Sequence, residues 1–252
     1  MMVTSLIVFL QNLNPYMLLI GQFVICMFCI VVFNKWFGKE GLCTYSVVAI
    51  IIANIQILRA TTIPGFNNPV PLGDVVFVSI FLVINIISEI YSHDAAYKII
   101  WHGVIGFCIF IILVLTTISV HPLSINGIVN SRFIASQEAL EVLFIPSLSI
   151  LVASLIAYAA SFKLNVMLFG ILRNITKGRF VGLRHLIAST LGIIFDSTVF
   201  GLLAWIFTIA TPLSYDASLQ SYMVNTAIMR ILFTMASIPV FYYIILYCKR
   251  VT

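Results

Sequence analysis

"HLIASTLGIIFDSTVFGLLAWIFTIAT" (residues 185–211) holds one formally charged side chain, Asp196, in a run that is otherwise apolar or weakly polar. A helix needs roughly 20 apolar residues to cross a bilayer. The run is long enough, so its reading turns on whether the rest of the chain is equally apolar. It is: 62% of the 252 residues are hydrophobic and 8% are charged, with a mean hydropathy of +1.16. A soluble domain carries about 25% charged residues. This chain cannot cover a water-facing surface. It reads as an all-α, polytopic integral membrane helix bundle in the lipid bilayer, a single multi-pass domain over residues 1–252.

Seven stretches are candidates to span: 16–34, 43–60, 74–92, 99–121, 141–163, 185–211 and 220–247, so the expected count is six to seven helices. The opening "MMVTSLIVFLQNLNP" lacks a basic n-region and a small-residue cleavage site. It reads as a lead-in at the interface. Residues 164–172, "LNVMLFGIL", are too short to span and either continue the fifth helix or turn at the surface. Pro15, Pro64, Pro69, Pro71, Pro122 and Pro212 fall at segment ends, as helix breakers should. Pro146 and Pro239 fall inside helices. The five cysteines lie mostly in apolar runs and read as small buried hydrophobes rather than a disulfide framework.

Lys and Arg in the connecting loops set orientation. Lys35, Lys39, Lys98, Arg173, Lys177, Arg179, Arg184, Lys249 and Arg250 fall on one side, against Arg59 and Arg132 on the other. The loops after helices one, three and five and the C-terminus are therefore expected in the cytoplasm. Topology accounts for the net charge of +5, and no nucleic-acid partner is implied.

Charge within a span costs about 2.5–3.5 kcal/mol at a helix centre. Asp196 and Arg230, on the last two helices, both come near mid-depth, where antiparallel neighbours would let them meet. They read either as a ligand or ion site or as an ion pair that fixes register. Asn85 and Glu89 are four apart and share a face of helix three. Asn54 and Gln56 sit on different faces, so one of them at most is a site residue. Gln22 reads as a helix–helix hydrogen bond. Ala153, Ala157 and Ser161 form a small-residue stripe for close packing, with Tyr158 beside it as a candidate stacking surface. There is no G-x-S-x-G, H-E-x-x-H or P-loop, and the four histidines have no metal spacing. No enzyme, metal or cofactor is implied.

Three patterns occur in order: "GDVVFVSIFLVINIISEIYSHDAAYKIIW", "SLIAYAASFKLNVMLFGILRNITKGRFVGLRHLIASTLGIIFDSTVF" and "MRILFTMASIPVFYY". They resemble the queuosine precursor transporter family, also called the vitamin uptake transporter family, from about Gly38 to Tyr243. The most specific matches are Glu89, Tyr91 and Ala95; the run Ala153 to Tyr158; and Arg184 followed by Asp196, Ser197 and Phe200. Arg230, nine before Pro239, stands where the family usually has Lys. The chain departs from the family at Asn85 and Asn165, usually acids, and at His185, usually asparagine. It also departs at Ser92, Ser147, Phe162 and Ile193. The resemblance implies an inner-membrane importer of a 7-deazaguanine-type base. Asp196, Arg230, Asn85, Glu89, Tyr158, Arg184 and Phe200 would be its substrate-binding residues, and a homo-oligomer is left open. The competing readings are the binding subunit of an ATPase-coupled vitamin system, a non-transporting structural subunit and an intramembrane enzyme.

Overall fold

The computed structural model describes residues 2–57, 59–61, 70–121, 124–125, 128–129, 131–145, 148–208 and 217–251. In chain order they form α1 (Met2–Gln11), α2 (Pro15–Gln56), β1 (Ala60–Thr61), β2 (Val70–Pro71), α3 (Asp74–Ile90), α4 (His93–Ile118), β3 (Ser124–Ile125) and β4 (Ile128–Val129). Then follow α5 (Ser131–Phe144), α6 (Leu148–Ile175), α7 (Val181–Thr208) and α8 (Ala217–Val251). The expected all-α class holds. The strands are two antiparallel ladders of two residues each, between helices. Five helices among the described residues are long and apolar enough to cross a membrane: α2, α4, and segments of α6, α7 and α8. Large apolar side chains such as Val24, Phe28, Ile109, Ile112, Leu202 and Leu246 stand exposed around the bundle. A bundle that presents such side chains outward on several spanning helices is a multi-pass membrane protein.

The first two expected spans lie in one 42-residue element, α2, whose backbone leaves helical geometry only at Gly38, with φ 54° and ψ −130°. The Gln22 side chain donates to Gln56 Oε1 at 2.7 Å, and the rings of Phe33 and Tyr45 lie 6.4 Å apart. Both pairs are centred on residue 39, so the halves of α2 lie side by side and antiparallel. Gly38 takes a backbone conformation that side chains with a Cβ avoid. Gly41 is needed for a different reason: a Cβ there would run into the carbonyl of Phe33. The expected loop at 35–42 is thus compressed to a single reversed residue.

Other boundaries also move. α4 starts at His93, not 99, because Ser92 is extended and its Oγ accepts from the Ala95 N–H at 3.0 Å. The expected fifth span, 141–163, is not one helix: α5 ends at Phe144 and α6 begins at Leu148. Pro146 lies outside the described residues, as do Pro64, Pro69, Pro122 and Pro212. Residues 164–172 continue α6, and Pro239 lies inside α8. Arg184 sits inside α7 and is buried, so it is not the loop cation its position suggested.

α3 is the hub. Most of its 17 residues are apolar, and it is buried from Asp74 to Ser88. A helix hydrophobic all round belongs at the centre, and α2, α4, α6, α7 and α8 surround it. Phe77 and Phe81 of α3 meet Phe162 of α6, with Phe81 stacked on it at 4.0 Å. Ala153, Ala157 and Ser161 are all buried, so the small-residue stripe of α6 faces protein rather than lipid.

The reversal at Gly38 gives a direct test of this fold. Gly38→Ala places a Cβ on that backbone, a strain of about 1–3 kcal/mol. The detergent-solubilised variant should unfold several degrees below the wild type in a thermal melt. An unchanged midpoint would mean that the two halves of α2 are not joined by this turn.

Candidate functional site

Arg230 is the centre of the site. It sits on α8, 5% exposed, and its guanidinium bonds two acids from two other helices. Its Nε donates to Asp74 Oδ1 at 2.7 Å, and its Nη1 donates to Asp196 Oδ2 at 2.7 Å. The guanidinium lies over the Phe77 ring, 4.3 Å from its centroid. Asp196 also accepts from Ser161 Oγ at 3.2 Å. Three helices therefore converge on one cation, and α6 supplies a fourth contact.

Two small cavities open beside this group. One is lined by Ala53, Asn54, Gly73, Phe77, Ala157 and Phe200 together with Asp196 and Arg230. The other adds Pro71, Ser197 and Thr226 and shares Ile57, Asp196, Phe200 and Arg230 with the first. Each measures about 20 Å³, space for one water. Their walls are rich in unused hydrogen-bonding capacity. Asn54 Oδ1, Ser197 Oγ and Thr226 Oγ1 are buried without a hydrogen-bond partner among the described residues, and so is Asp74 Oδ2. Most buried polar atoms in folded proteins are paired, and three bare ones in the walls of two cavities mark a place that accepts N–H or O–H groups from elsewhere.

Asn54 occupies the cavity while holding its own helix, donating to the Ile50 carbonyl at 2.9 Å. Gln56 does not share that role; it takes the bond from Gln22. Tyr158 is fully buried, but its ring packs on Phe162 at 4.5 Å, and its hydroxyl faces Gly103 of α4. It lies behind Phe77 and does not line either cavity. Of the seven residues singled out in the sequence, Asp196, Arg230 and Phe200 come together here.

The other three lie away from the cavities, Asn85 and Glu89 further along α3 and Arg184 near the start of α7. At 1.5 Å per residue, Asn85 is about 16 Å from Asp74 and Glu89 about 22 Å. Asn85 donates to Ser189 Oγ at 3.0 Å, lies 2.8 Å from His185 Nδ1, and accepts from Asn165 Nδ2 at 2.8 Å. His185 Nε2 reaches Ser237 Oγ at 3.1 Å, and its ring lies on Phe241. Glu89 accepts two bonds from Arg184, at 2.9 and 3.1 Å. Glu89 is thus a paired carboxylate and does not snorkel to the surface. Arg184 also donates to the Gly178 carbonyl at 3.3 Å, which ties α7 to the turn before it.

Asp74 was missed in the sequence. It begins a span, where an acid reads as an interfacial residue stabilised by the positive end of the helix. The available signal was the shortness of the apolar run after it: 17 residues rise about 26 Å, which sinks the first residue below the surface of a roughly 30 Å hydrocarbon core. Ser161, Asn165, Ser189 and Thr226 were missed as partners, because single weakly polar residues in spans carry no pattern.

The family model described as "Putative vitamin uptake transporter" matches residues 71–244. The chain is 26% identical over 208 residues to the "Probable queuosine precursor transporter" of Bacillus subtilis (strain 168), covering 82% of this chain and 86% of that protein. No solved structure matches the chain.

The triad makes an unusual ordering of stabilities. Asp196→Asn leaves one acid facing one cation, so the protein should stay near wild-type stability. Arg230→Gln strands two buried carboxylates and should cost about 3–5 kcal/mol. The double variant leaves Asp74 alone and should fall between them. Melting curves in one detergent give the order, and an Asp196→Asn protein as unstable as Arg230→Gln would contradict it.

Proposed function

The chain belongs to the vitamin uptake transporter family, and from that premise we propose that it imports a 7-deazaguanine-type queuosine precursor, or a related flat base, through the cavities beside Arg230. The observation that carries this reading is the set of bare acceptors at a buried charge. A guanine-like edge presents adjacent N–H donors with a carbonyl oxygen beside them. Asp196 keeps spare lone pairs after its bonds to Arg230 and Ser161. Asn54 Oδ1 can accept a further N–H, and Arg230 can turn a guanidinium N–H toward the oxygen. Phe77 and Phe200 offer aromatic surface to a flat ring. The relative's name supports the substrate class.

At about 20 Å³ each cavity is closed to a two-ring base. Binding needs the walls to part, which is the expected behaviour of an importer that alternates access. Seven crossings fit the helices: the two halves of α2, then α3, α4, α6, α7 and α8. An odd count puts the termini on opposite sides. Arg173, Lys177, Arg179, Lys249 and Arg250 support a cytoplasmic α6–α7 turn and C-terminus, and the reading takes the membrane as a cell inner membrane.

Uptake decides the substrate. A cell that lacks its own importer and its own synthesis of these bases should accumulate labelled 7-deazaguanine only when this gene is supplied. Asp196→Asn should lower that uptake roughly 5- to 150-fold, because one acceptor becomes a donor facing the ring's donors, at about 1–3 kcal/mol. Uptake that ignores Asp196→Asn removes the carboxylate from the site.

Orientation is tested separately. Gly178→Cys in intact cells should resist a membrane-impermeant thiol reagent and react after permeabilisation. Strong labelling from outside would reverse the topology.

A further inference from the structure

The Arg230 layer is short of one positive charge. Among the described residues, Asp74 and Asp196 face a single guanidinium, so with both acids ionised the layer carries a net charge of −1. The remaining surroundings do not correct this. α2 brings Asn54 to the cavity and α6 brings Ser161 to Asp196; neither titrates. Tyr16, at the start of α2, packs against the cluster that includes Val75 and brings no cation. Arg59, before β1, is exposed. Segments 62–69 and 209–216 contain no Lys, Arg or His.

The two acids are not equivalent. Asp196 uses both oxygens, one on Arg230 and one on Ser161. Asp74 uses only Oδ1; its Oδ2 is buried without a partner among the described residues, in a residue 2% exposed. A bare carboxylate oxygen away from water is the natural seat of a proton. The positive end of α3, which Asp74 begins, favours its charged form. The Arg230 guanidinium, bonded to Oδ1, acts with the helix end and against the burial of the bare oxygen, so the proton is exchangeable rather than permanently held. Gly73 and Phe77, one before and three after Asp74, line the cavity, so the opening that admits a ligand also brings water to this acid.

We infer that Asp74 carries a proton through the transport cycle, so that import is driven by the proton gradient: Asp74 Oδ2 gains a proton while the site is open to the outside, the closed layer is neutral, and the proton leaves to the cytoplasm. This rests on the transport reading above. Asp74 does not line either cavity and touches the site through Arg230, so losing its titration differs from losing the substrate's contacts.

Two measurements test it. In the first, purified full-length protein is followed by infrared difference spectroscopy as pH is raised. The wild type should lose the C=O stretch of a buried, protonated carboxylic acid. That band should be missing from Asp74→Asn, shifted in frequency by Asp74→Glu and left in place by Asp196→Glu, which keeps both acids in the layer. In the second, proteoliposomes are given a labelled 7-deazaguanine base. An inward proton gradient should drive accumulation by the wild type and by Asp74→Glu. Asp74→Asn should exchange the base down its own gradient but accumulate none against it. Accumulation that follows sodium instead of protons, or a gradient-driven Asp74→Asn, overturns the proposal. If wild-type vesicles exchange no 7-deazaguanine, the substrate reading fails and the infrared result alone decides. A band that depends on Asp74 then sustains the proton site, and its absence ends it.

Discussion

One guanidinium in a low-dielectric interior holds this bundle in register. Arg230 on α8 bonds Asp74 at the start of α3 and Asp196 in the middle of α7, both at 2.7 Å. Each of these charges would cost about 2.5–3.5 kcal/mol alone at such depth. Sliding any one helix by a turn breaks at least one bond and exposes that cost. The planar fork of arginine can meet two acids from different directions while its face lies on Phe77. A lysine would supply the charge without that geometry.

The rest of the polar interior hangs from the same seam. α3 and α7 run antiparallel, and their polar residues meet in sequence: Asp74 and Asp196 across Arg230, Asn85 against His185 and Ser189, Glu89 against Arg184. The lower two layers largely satisfy themselves. The Glu89–Arg184 pair is bidentate, and Asn85 uses both its donor and its acceptor. The upper layer is different in kind, since polar atoms on α2, α7 and α8 are left bare beside space. Polar groups inside this bundle thus do two jobs: the more fully paired layers, where Asn165 Oδ1 and Arg184 Nε stay bare, fix the helices, and the layer beside the cavities is free to bind.

What the sequence made legible follows the reach of local rules. Hydropathy located the helices because a bilayer imposes one length on all of them. Depth counting brought Asp196 and Arg230 together, and helical spacing put Asn85 and Glu89 on one face. The failures were of context. A reversal through one glycine has no loop signature, so the ends of α2 were misplaced. Arg184 was counted among the loop cations and Glu89 was grouped with Asn85, and both were named as substrate-binding residues rather than as partners; nothing in either segment announces the other, 95 residues away. Asp74 was passed over for the same reason. Its meaning depends on α3 being short and central, which is a property of the packed bundle.

Three departures from the family pattern, read singly in the sequence, are neighbours in space. Asn85, Asn165 and His185 form one hydrogen-bonded group, all fully buried. The first two stand where the family usually has acids. Two acids in a layer that also lacks a cation would be expensive, whereas two amides and an imidazole can satisfy one another while neutral. His185 accepts or donates at both nitrogens, to Asn85 on one side and Ser237 on the other, and an asparagine could not span α3 and α8 in that way. The substitutions therefore make sense only together: charge leaves the middle layer, and the buried charge of this bundle is concentrated in the closed Glu89–Arg184 pair and in the layer around Arg230.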